Sequence, residues 1–134
     1  MPRTLTSKTL TVSIDRPPDD VYAFVTNVQN LPRWATSFVR SVRQTPDGWI
    51  AETVEGPAGF EYVRGNEFGV LDHVVRPAPG VEIHVPMRVV RNGGGSEVIF
   101  TLIQFAGMPP EKFQGDISMV QRDLATLKRF LESQ

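Results

Sequence analysis

Residues 13–38 read SIDRPPDDVYAFVTNVQNLPRWATSF, and the fold is decided by how this stretch punctuates itself. Its first two residues close the run TLTVSI (9–14), in which β-branched residues recur as they do in a strand. DRPP stops that run. Asp15 is placed to cap a helix, Pro17 and Pro18 suit a first turn, and Asp19 and Asp20 favour the positive end of the helix dipole. Val21, Phe24, Val25 and Val28 then recur at helical spacing until Asn27 ends or bends the helix. A second short helix is expected from about Pro32, burying Leu31, Trp34 and Phe38. One strand followed by two short helices implies that the helices cover the end of something larger.

That larger object lies downstream. From 39 to 106 the pattern is β throughout, punctuated by TPDG (45–48), EGPAG (55–59), NEFG (66–69), PAPG (77–80) and NGGG (92–95). These turns divide the region into a meander of six strands, and adding the first strand gives seven, enough for a strongly curled antiparallel sheet. After MPPEKF (108–113), Phe113, Ile117, Val120, Leu124, Leu127 and Leu131 step by three or four, the apolar stripe of a long amphipathic helix. That helix must pack on the sheet.

Composition limits the function. The 134 residues, 40% of them hydrophobic, suit a single domain over 1–134 with a sizeable core. Fourteen basic against fifteen acidic residues, concentrated nowhere, argue against a nucleic-acid partner or an anionic membrane surface. The absence of cysteine excludes disulfides, thiolate metal sites and a cysteine nucleophile, and suits the reducing cytoplasm. No apolar run approaches the ~20 residues of a membrane span, and the first residues lack the apolar core of a signal peptide. A cytoplasmic protein, monomer or homodimer, is expected.

Three polar groups interrupt the aliphatic stretch GVLDHVVRPAPGVEIHVPMRVV (69–90): Asp72, His73 and His84. Symmetric four-residue turns would set Val63 opposite Asp72, His73 opposite His84 and Val85 opposite Leu102. One face then holds Val63, Val70, Asp72, Val74, Val81, Ile83, Val85, Met87, Val89, Val98, Phe100, Leu102 and Gln104, and the other Tyr62, Arg64, His73, Glu82, His84, Arg88 and Glu97. The aliphatic face is the inner one. Asp72 is therefore expected to be buried, with Glu61 and Gln104 as weaker polar candidates beside it, and the histidines to be neighbours on the outer face. A bulge at Gly69 or a three-residue loop around Pro79 would bring His73 inward instead.

A buried carboxylate must be protonated, paired, hydrogen-bonded or set against a cavity, so Asp72 is either a structural anchor or a general acid/base. The histidines fall short of three metal ligands, and no His-x-His or His-Glu-x-x-His occurs, so no metal is expected. Gly-x-Ser-x-Gly, P-loop and dinucleotide fingerprints are likewise missing, and no cofactor is expected.

The order of strand, two short helices, meander and long C-terminal helix is the α+β helix-grip layout. SIDRPPDDVYAFVTNVQNLPRWATSF, with its proline-started helix and Leu-Pro-x-Trp segment, resembles the opening of the SRPBCC/START-like superfamily, which includes START lipid-transfer domains, birch pollen allergens and polyketide cyclase/dehydratase-like proteins. FGVLDHVV, VPMRVV and EVIFTLIQFAGM look like a bacterial branch of it, and the resemblance covers essentially the whole chain. The superfamily's oxygenase branch is set aside, since its metal ligands and Rieske module are missing. The resemblance implies a cavity between sheet and C-terminal helix. Its lining would come from Phe24, Trp34, Phe38, Val63, Asp72, Val74, Ile83, Val85, Met87, Phe100, Leu102, Phe113, Ile117 and Val120. For the aromatics and Met87, plain core packing competes with ligand contact. The expected function is binding or transport of a small hydrophobic or aromatic molecule. The alternative is a polyketide cyclase/dehydratase-like enzyme in which Asp72 exchanges the proton, and a third is a protein-interaction module without a cavity.

Overall fold

Prolines mark the starts of the helices and one break between strands. In the computed structural model, which describes residues 2–134, strand β1 (Ser7–Ile14) ends before Pro17, and helix α1 (Pro18–Thr26) begins with Pro17 at its N-cap. Asp19 and Asp20 occupy its first turn as expected. Asp15 is not the cap: its amide donates to Glu132 at 2.8 Å, tying the start of the chain to the C-terminal helix. Asn27 ends α1 and accepts from the Gln29 amide, starting a 3-10 turn (Val28–Asn30) that runs into α2 (Leu31–Trp34).

Seven strands follow: β2 (Val39–Thr45), β3 (Gly48–Thr53), β4 (Gly56–Tyr62), β5 (His73–Ala78), β6 (Val81–Val85), β7 (Met87–Asn92) and β8 (Gly95–Ile103). With β1 they form two antiparallel sheets, in the orders β1-β8-β7 and β2-β3-β4-β5-β6. This corrects the single seven-stranded sheet. Pro86, which has no N–H for a ladder, divides what reads as one strand over 80–92 into β6 and β7, and the chain changes sheet there.

The sheets are joined by residues 69–71. The Leu71 amide donates to the Met87 carbonyl at 2.8 Å and the Val89 amide to the Gly69 carbonyl at 2.9 Å, around an isolated bridge between Val70 and Arg88. Gly69 is required here: its φ is +70°, and a Cβ would collide with the Val89 carbonyl. NEFG thus belongs to a loop from 63 to 72 and not to a tight hairpin. Asn66 builds that loop, its Oδ1 accepting from the Phe68 and Val70 amides and its Nδ2 donating to the Arg64 and Val70 carbonyls.

Helix α3 (Pro110–Glu132) packs on β1 and α2. All six residues of its expected stripe are buried, with Asp123 among them. They join Leu10, Ile14, Val21, Val25, Met87 and Val98 in one core cluster, and Phe24 stacks on Phe130 at 4.9 Å.

Candidate functional site

The site is set by one extra residue in β5. His73 lies opposite Val85, Val74 opposite His84 and Val75 opposite Ile83, but the next pair is Ala78 with Val81. Three steps along β5 match two along β6, so a bulge falls at Arg76–Pro77, where Pro77 offers no amide to the ladder. Beyond it the alternation of β5 is inverted relative to the symmetric turn. Pairing between β4 and β5 keeps the expected register, with the Val63 amide donating to the Asp72 carbonyl, so β4 is inverted with its partner. Ile83, Val85, Met87, Val89, Phe100 and Leu102 stay on the inner side, while Phe60, Tyr62, His73 and Val75 replace Glu61, Val63, Asp72 and Val74.

His73 is 7% exposed and packed among aromatic rings. It stacks on Phe60 at 5.0 Å and 26°, meets Tyr62 edge-on at 5.4 Å and lies 6.1 Å from Phe100. Burial pushes its pKa down to about 4, against the partial support of the Leu71 carbonyl and the nearby Asp72 charge, so the imidazole is neutral at physiological pH. Its Nδ1 lies 3.0 Å from the Leu71 carbonyl, which can only accept. The proton of the neutral ring is therefore assigned to Nδ1, leaving a lone pair on Nε2.

Tyr62 supplies the complementary group. Its ring is partly exposed, but its hydroxyl is buried and makes no hydrogen bond among the described residues. Burial drives its pKa well above the ordinary phenol value, so it keeps its proton and remains a donor. A buried hydroxyl without a partner typically costs ~1–3 kcal/mol.

Asp72 lies on the other side of the strand with its side chain 29% exposed. Arg88 grips both of its oxygens, Nε and Nη2 each at 3.1 Å, and the Met87 amide donates to Oδ1 at 2.8 Å. Burial pulls the carboxyl pKa up, but the Arg88 and Met87 hydrogen bonds outweigh it and hold the group below its usual value. The expected buried acid is thus an ionised staple between β5 and β7. His84 is exposed, 3.7 Å from Glu82, and does not neighbour His73 across the ladder. Glu61 is exposed and paired with Arg76, while Gln104 donates to the Met108 carbonyl.

Of the other expected lining residues, Trp34, Met87, Leu102, Phe113, Ile117 and Val120 are buried. Phe24, Phe38 and Phe100 pack half-buried on the core, Val74, Ile83 and Val85 are partly exposed, and Val63 is 41% exposed on the wrong side for a lining role. A cleft of about 720 Å³ opens at one end of the five-stranded sheet, between the β2–β3 and β5–β6 turns and the end of α1. Thr26, Val28, Trp49, Phe60 and Tyr62 are among its walls, with Arg43 and Arg76 at its rim. None of the expected lining residues lines it, and His73 lies one ring deeper, behind Phe60.

Trp49 and Phe60 were not singled out as lining from the sequence and Tyr62 was set on the outer face; the inversion that the sequence offered as an alternative, at Gly69 or around Pro79, arises instead from the bulge at Arg76–Pro77. Pro77 inside a strand pattern was the available signal. Two further polar groups are buried, Trp34 as expected and Asp123 without having been singled out. Among the described residues Trp34 Nε1 and Asp123 Oδ2 are buried without partners, while Asp123 Oδ1 accepts from the Ser37 amide and anchors the α2–β2 connection to α3.

Two antiparallel sheets gripped by a long C-terminal helix, with short helices at one end, define an α+β protein of helix-grip fold. The chain belongs to the family described as polyketide cyclase / dehydrase and lipid transport, whose model matches residues 6–132. No sequence among the curated proteins matches it. Similar solved structures include XoxI from Bacillus cereus, 15% identical with a TM-score of 0.73, covering 93% of this chain and 94% of that one. Ara h 8.0201 is 13% identical with a TM-score of 0.70, covering 97% and 99%. A START superfamily protein from Mycobacterium smegmatis is 12% identical with a TM-score of 0.63, covering 93% and 98%. At these identities the likeness is one of fold.

Proposed function

We propose that the chain binds a small hydrophobic or aromatic molecule, seated against Trp49, Phe60 and Tyr62 and reaching toward His73. One observation carries this reading: a buried, unpartnered hydroxyl and a buried neutral imidazole lie side by side on an otherwise apolar face, next to a cleft. An apolar pocket with a few convergent polar groups is the usual make-up of a small-molecule site. The family description, which joins cyclisation or dehydration to lipid transport, supports a ligand of this kind. Titration with naphthalene, followed by Trp49 fluorescence in the wild type and in Trp49→Phe, is expected to give saturable quenching lost in the variant. A linear response that is the same in both proteins would refute the reading.

A second reading follows from the fixed tautomer of His73. A neutral imidazole with Nδ1 held by a carbonyl presents Nε2 as a base, and Tyr62 beside it can donate to a carbonyl oxygen, the pairing that enolisation in a cyclase/dehydratase-like reaction requires. In this reading His73 takes the part expected of Asp72, whose carboxylate is engaged by Arg88. Exchange of the α-protons of 2-tetralone in D2O is the test. Acceleration by the wild type that disappears in His73→Phe supports catalysis, and equal exchange in both proteins removes it.

A further inference from the structure

The Tyr62 hydroxyl in the cleft wall and the His73 imidazole behind Phe60 define the charge and hydrogen-bonding character of what the site accepts. We infer that the site selects an uncharged, hydroxyl-bearing ligand over its carboxylate analogue, the hydroxyl accepting from Tyr62 and donating to His73 Nε2. This deepens the binding reading above and rests on it.

Three observations lead here. The Tyr62 hydroxyl is buried and makes no hydrogen bond among the described residues, while the His73 ring lies edge-on at 5.4 Å, so donor and acceptor sit on neighbouring rings without satisfying each other. A hydroxyl both accepts and donates, and so is the smallest group that completes the pair. Secondly, among the described residues no unmatched cation is placed to receive an anion. Among the described residues the buried polar side chains are His73, Ser96 and Asp123, and the last is a carboxylate. Thirdly, the guanidiniums at the rim are already matched. Arg76 is bound by Glu82 at 2.9 Å and Glu61 at 3.1 Å, and Arg43 by Glu52 at 3.2 Å. A carboxylate entering beyond them would be desolvated with no countercharge, while Nε2 would oppose it with a lone pair. Burial, which keeps His73 neutral, works in the same direction by withholding the one positive charge the interior could otherwise offer.

The test compares three probes of one size, naphthalene, 2-naphthol and 2-naphthoate, by calorimetric titration at pH 7. The wild type is expected to bind 2-naphthol about tenfold more tightly than naphthalene, the contribution of a satisfied buried pair, and 2-naphthoate more weakly than either. In Tyr62→Phe and His73→Phe the advantage of 2-naphthol should vanish while naphthalene still binds. Naphthoate binding as tightly as naphthol in the wild type would overturn the inference alone, and so would an unchanged naphthol advantage in both variants. If none of the three binds, the binding reading fails and the inference with it. The wild-type comparison needs no variant, so the outcome does not depend on either substitution folding.

Discussion

His73 shows how one residue's environment can reverse what its type suggests. An imidazole ordinarily titrates near neutrality, but this one is enclosed by Phe60, Tyr62 and Phe100 and remains neutral down to about pH 4. In the unfolded chain the same ring takes up a proton near 6.5. Between those values the unfolded state binds more protons, so the contribution to stability is intact above about 6.5 and is lost as pH falls toward 4. The loss should amount to roughly 3 kcal/mol at its largest. Urea denaturation across that range is expected to show the decline in the wild type and a flatter profile in His73→Phe; parallel profiles would show that His73 does not remain neutral. The sequence made the chemistry of this position visible but not its side of the strand. Asp72 and His73 are adjacent, strand alternation must put one of them inside, and hydrophobicity favours neither. A carboxylate held by Arg88 and the Met87 amide tolerates the partly exposed side, while an aromatic imidazole packs among rings.

At the scale of elements, long periodic signals were legible and breaks within them were not. The α3 stripe and the proline-started α1 follow from spacing and helix-end chemistry, because each residue's position there is fixed by its own helix. Strand faces depend on the partner strand, so one bulge at Arg76–Pro77 moved both β4 and β5. Pro86 likewise divided one expected strand between two sheets. The junction these breaks create is held by the 69–71 bridge and by Asp72. Asp72→Ala should therefore destabilise the fold by about 1–3 kcal/mol, since the Met87 amide loses its acceptor and Arg88 its partner. It should leave the naphthalene affinity unchanged, because the carboxylate lies across the strand from His73. Thermal denaturation paired with calorimetric titration separates the two effects; unchanged stability together with lost affinity would return Asp72 to the site.

At the scale of the whole molecule, the helix-grip architecture brings aromatic residues from β3, β4, β5 and β8 together at one place, near a cleft that opens at the sheet's end. The sequence indicated this architecture through element order and the Leu-Pro-x-Trp segment, and it located the inner faces of β7 and β8. None of the lining residues it named borders the cleft, which lies where β4 is inverted. The central claim is that this aromatic corner receives the ligand, and chemical-shift mapping tests it most directly. Addition of 2-naphthol to ¹⁵N-labelled protein should move the Trp49 indole N–H and the amides of Phe60, Tyr62 and His73 most, leaving those around the exposed Phe68 in place. Shifts centred on the Phe68 loop, or no saturable shift at millimolar ligand, would contradict it.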